Sequence, residues 1–83
     1  MRYTFTKHAQ EEIEGRTLPL RWLEAAVERP IHVEPDPNDP TVDRRYAVIE
    51  EYGNRILRVV CRQKPHEVQI ITVFFDRNAK RRL

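Results

Sequence analysis

The chain has 83 residues and a mass of 10.0 kDa, enough for one domain with a small core. It is 40% hydrophobic and 34% charged, but its apolar residues fall in tight runs and only two are glycine, which argues against disorder; its one cysteine, Cys61, excludes a disulfide framework and a multi-cysteine zinc site. The net charge of +2 is unevenly spread: residues 1–43 carry five Lys/Arg against nine Asp/Glu and residues 44–83 ten against four, so the basic half is either a solvated surface or the face of an anionic partner.

The opening stretch MRYTFTKHAQEE has no apolar segment of the secretory type, and a cytoplasmic setting is expected. Arg2–Thr6 alternates and is rich in β-formers, so it reads as a short strand or arm. Thr6 is a good N-cap, and Lys7–Glu14 reads as a short helix that Gly15 stops. Pro19 suits the first turn of a second helix that runs to Arg29 and ends at Pro30. Leu20, Leu23 and Val27 recur there at helical spacing, with Trp22 and Ala26 beside them, and form an apolar face over a core. Ile31–Val33 reads as a short strand. Residues 34–43, EPDPNDPTVD, hold three prolines and four acids and are expected to form a mobile acidic loop.

An antiparallel meander of three strands follows: Arg44–Tyr52, Arg55–Arg62 and Glu67–Phe75. Gly53-Asn54 is a two-residue turn whose residues both tolerate positive φ, and Gln63–His66 is a four-residue loop. The apolar run Ile70–Phe75 is far shorter than the ~20 residues of a membrane helix, so no membrane partner is expected. Residues 76–83, DRNAKRRL, are a basic tail. Two helices thus precede an antiparallel meander, with a short strand ahead of them.

These turn lengths set a register. Ile49 falls opposite Arg58 and Arg45 opposite Arg62; across the next hairpin Arg62 falls opposite Glu67 and Arg58 opposite Ile71. One face then gathers Tyr46, Val48, Leu57, Val59, Cys61, Val68, Ile70, Thr72 and Phe74 over the helices. The other gathers Arg45, Arg58 and Arg62. Two readings of that cluster stand open: ion pairs with Glu51 and Glu67 on a solvated face, or a cationic platform whose guanidinium forks hold phosphate oxygens. Ile71, Val73 and Phe75 on the same face need cover from the tail, a partner chain or stacked bases.

His8 lies in the first turn of the first helix. A neutral imidazole there can serve as a general base, with Glu11 or Glu12 in support; the plain alternative is a surface histidine. His32 and His66 read as solvated, the histidines lack metal-ligand spacing, and no metal or other cofactor is expected. There is no glycine-rich phosphate loop, and Cys61 reads as a packing residue.

The stretches FTKHAQEEIEGRTLPLRWLEAAVERP, RRYAVIEEYGNRILRVVCR and VQIITVFFDR together resemble the domain of unknown function 4258 family, through His8-Ala9, Arg16, Trp22-Leu23, Pro30, Arg45-Tyr46, Leu57, Val59-Val60, Ile71-Thr72 and Asp76-Arg77. That family is similar to the RelE and BrnT toxins. The resemblance implies a RelE/BrnT-like α+β fold, with two N-terminal helices packed on an antiparallel sheet made of the meander and the short N-terminal strand, and a toxin-like, metal-independent endoribonuclease acting on ribosome-associated messages and paired with an antitoxin protein. Such chemistry needs only a base for the RNA 2′-hydroxyl, stabilisation of an anionic phosphorane and a proton for the leaving oxygen. The resemblance assigns catalysis to His8, Arg58 and Arg62 and substrate binding to Lys7, Arg45, Arg77 and Lys80. The C-terminal tyrosine common in RelE-like enzymes is missing from the last eight residues. The alternative is a non-catalytic RNA- or protein-binding module on the same fold.

Overall fold

The computed structural model describes residues 1–79. Its elements are β1 (Tyr3–Phe5), α1 (Lys7–Arg16), α2 (Leu20–Glu28), β2 (His32–Asp36), β3 (Asp39–Ile49), β4 (Arg55–Gln63) and β5 (Val68–Phe75), with a 3-10 turn at Glu50–Tyr52. The class is α+β. The sheet has five strands in the order β1-β5-β4-β3-β2 and is mixed, because β1 runs parallel to β5. The chain leaves β1 through both helices before it returns to the sheet, a crossover that permits parallel pairing.

Thr6 caps α1 as its residue type predicts: its hydroxyl accepts from the Ala9 N–H at 3.1 Å and donates to the Ile71 carbonyl at 3.0 Å. Gly15 does not end the helix. The chain turns at Thr17, whose φ of 53° is left-handed, and the Leu18 N–H closes on the Ile13 carbonyl. Pro19 precedes α2 as its cap residue, one position before the helix. Leu23, Ala26 and Val27 bury as expected, but Leu20 is 53% exposed and Leu18 takes the core position. The expected loop at 34–43 is largely strand: Glu34–Asp36 belong to β2 and Asp39–Asp43 to β3, leaving the turn at Pro37-Asn38. Pro35 is tolerated because β2 is an edge strand, and a register shift follows it.

Register is where the sequence reading fails. Gly53 and Asn54 do adopt positive φ, at 68° and 56°. The connection is longer than two residues, however, because Glu50–Tyr52 leave the strand. Ile49 therefore pairs with Arg55 instead of Arg58, and Arg45 with Val59 instead of Arg62. An offset of odd length turns β3 over, since side chains alternate along a strand. Ala47 and Ile49 face the helices, while Tyr46 and Val48 face outward. In β5 a bulge opposite Val60/Cys61 leaves Ile71 as the extra residue, so Val73 and Phe75, not Thr72 and Phe74, join Val68 and Ile70 over the core.

The main core lies between the helices and the sheet, and centres on Leu23, Leu57, Val59, Cys61, Val68, Ile70 and Val73. On the outer face a smaller cluster joins Tyr46 and Ile56 to Ala79, so the first residues of the tail cover that side of the sheet. Among the described residues no helix is long and apolar enough to cross a membrane.

A candidate nucleic-acid cleft

The three sheet arginines do not share a face. Arg45 lies on the helix side, where its Nη1 donates to the Val27 carbonyl in the last turn of α2 at 3.0 Å and its Nη2 pairs with Asp43 at 3.2 Å. A cation on that carbonyl end complements the helix dipole. Arg58 and Arg62 lie on the outer face, and both are engaged. Arg58 pairs with Asp76 at 3.1 Å and stacks over Phe74 at 4.6 Å. Arg62 reaches Asp39, Thr41 and Gln69 at 3.1, 3.2 and 2.8 Å. The expected ion pairs with Glu51 and Glu67 do not form, because Glu67 accepts from Thr4 and Glu51 is occupied by α2; Asp76 and Asp39 take their place. Arg44 extends the same outer network through Asp36 and Glu34.

His8 sits on the exposed side of α1, with its side chain 65% exposed and its Nε2 3.4 Å from Glu12. The sheet stands between it and Arg58 or Arg62, because α1 packs on the helix side. Glu12 also accepts from the Val73 N–H at 3.0 Å. That bond closes part of the β5 edge that short β1 leaves open. Lys7 is exposed beside His8. Lys80 lies outside the described residues.

Arg77 belongs to a different place. Where α1 ends, α2 begins, β4 starts and β5 finishes, a cleft of about 650 Å³ is lined by Arg16, Thr17, Leu18, Trp22, Tyr52, Arg55, Phe75 and Arg77. Among the described residues its lining holds three guanidinium groups and no carboxylate. Among the described residues Arg16, Arg55 and Arg77 have no ion pair. Its floor is aromatic. Tyr52 lies 5.5 Å from Trp22 and 5.0 Å from Phe75 between ring centroids, and Phe75 meets Trp22 edge-on at 6.1 Å. The Arg55 guanidinium rests 4.8 Å from the Tyr52 ring centre.

This arrangement exists because Glu50–Tyr52 break away from β3. The break carries Tyr52 onto Trp22 and carries Glu51 to α2, where its carboxylate takes the Trp22 Nε1–H at 2.5 Å and the Arg21 fork at 2.6 and 3.2 Å. Arg21 first, then Trp22, holds the Glu51 carboxyl below the usual glutamate range. Sequence reasoning missed Tyr52 and Arg55, which it left as ordinary strand ends beside the Gly53-Asn54 turn. The available signal was one of composition: an aromatic and a cation, Tyr52 and Arg55, flank a Gly-Asn turn, and a second aromatic, Trp22, lies near the start of an amphipathic helix.

No curated protein and no solved structure matches the chain. A family model described as Domain of unknown function (DUF4258) matches residues 5–75, a span that takes in every cleft residue except Arg77, and the chain belongs to that family.

Proposed function

We propose that the protein binds single-stranded RNA in the cleft, with a base stacked on the Trp22–Tyr52–Phe75 floor and neighbouring phosphates held by Arg16, Arg55 and Arg77. The observation that carries this reading is a set of three guanidinium groups that, among the described residues, have no ion pair and surround an aromatic floor without a carboxylate. Single strands are bound by this combination elsewhere, since every base has a face to stack and every phosphate a charge to pair. Trp22 is the only tryptophan, so its fluorescence reports on the cleft alone. Titration with a short oligoribonucleotide is expected to quench it, and Arg55→Ala to weaken that binding. Binding that leaves the fluorescence untouched sends the RNA to another surface.

The toxin-like endoribonuclease is the second reading. It is favoured by the His8–Glu12 pair, in which a carboxylate lies 3.4 Å from an exposed imidazole that can take a proton as a general base. In that reading the RNA supplies its own 2′-hydroxyl nucleophile, and an antitoxin protein is the partner. RNA cleavage in the presence of a chelator, on naked RNA and on ribosomes, tests it. His8→Ala is expected to lower the rate by ~10²–10⁴. Undiminished cleavage by that variant removes His8 from the chemistry, and no cleavage by the wild type leaves the binding module.

A further inference from the structure

The stacking surface of the cleft is held from behind by residues that do not line it. Trp22 is half-buried, and one side of its ring leans on Tyr52 and Phe75. Its indole N–H points away from the cleft into the Glu51 carboxylate. That carboxylate is itself held, because the Arg21 Nε meets the same oxygen as Trp22 and the Arg21 Nη2 meets the other. Arg21 and Trp22 are neighbours on α2, so the helix presents the fork and the ring together. We propose that Glu51 is a positioning residue for RNA binding, fixing with Arg21 the plane of the Trp22 ring on which a base stacks. This role rests on the RNA reading above.

The positioning role and a plain surface ion pair predict different effects on binding. The Arg21 and Glu51 side chains are 64% and 51% exposed, and pairs in that setting add little to stability. Glu51 also places a negative charge beside a cationic cleft. On charge alone, removing it tightens RNA binding, whereas loss of a fixed stacking plane weakens it.

The test measures binding of a short fluorescein-labelled oligoadenylate across a salt series, with thermal unfolding to confirm that each variant folds. Glu51→Ala is expected to bind about five- to tenfold more weakly, within the range of a stacked base, and to keep the wild-type salt slope, because no phosphate contact is lost. Glu51→Gln keeps an oxygen for the indole N–H and is expected to retain most of the affinity. In a Trp22→Phe background, which keeps a ring but has no N–H to hold, Glu51→Ala is expected to cost no further affinity. Binding by the wild type that Glu51→Ala leaves unchanged or tightens overturns the positioning role alone. Failure of the wild type to bind the oligoadenylate overturns the RNA reading and this role with it.

Discussion

Asp76 shows how much one buried carboxylate organises here. It is 9% exposed, pairs with Arg58 across the outer face, and accepts the Asn78 N–H at 2.9 Å as the chain leaves β5. Its own N–H donates to the Ile56 carbonyl. Asp76→Ala strands the Arg58 charge, whose side chain is only 17% exposed, and is expected to cost about 3 kcal/mol in chemical denaturation. Glu51 is the opposite case, exposed and acidic. Its folded carboxyl is held below the ordinary range, so its contribution is complete above the unfolded glutamate pKa and is lost as pH falls through the lower folded value. Stability is therefore expected to fall less steeply with acid in Glu51→Gln than in the wild type. Cys61 is fully buried, and burial pushes its thiol up. Alkylation in native buffer is expected to be slow and to become fast on unfolding.

At the scale of elements, both helices, the meander and the Gly53-Asn54 turn were legible because each rests on local chemistry: a threonine cap, a 3.6-residue apolar stripe, alternating strands, residues that accept positive φ. Leu23→Ala tests the stripe. The side chain is 1% exposed between α2 and the sheet, and its loss is expected to cost ~2–5 kcal/mol. What was not legible depends on distant partners. Tyr52 leaves β3 for Trp22 and Phe75, and Glu51 for Arg21, and although the residue types beside the turn hint at a site, they do not say which distant side chains meet there. The resulting shift turned Arg45 to the helix side and dissolved the expected three-arginine face. The parallel β1 and the bulge at Ile71 are of the same kind. Thr6 ties them together by capping α1 and bonding the Ile71 carbonyl. Thr6→Ala is expected to cost ~0.5–2 kcal/mol.

Across the whole molecule, the sheet divides two sets of arginines by what they touch. Those on the outer face, Arg44, Arg58 and Arg62, are spent on Asp36, Asp76 and Asp39. Those at the cleft keep their charge open to solvent beside aromatic rings. Charge counted along the sequence does not separate the two sets, because pairing is a property of the fold. On the function proposed above, RNA meets the second set. This is tested most directly by the salt dependence of oligoribonucleotide binding in the wild type, in Arg16→Ala, Arg55→Ala and Arg77→Ala, and in Arg62→Ala as the outer-face control. Affinity is expected to fall steeply with salt, each cleft substitution to flatten the log–log slope by about 0.7, and Arg62→Ala to leave it unchanged. A slope that Arg62→Ala flattens and the cleft substitutions do not, or binding indifferent to salt, would place RNA elsewhere than the cleft.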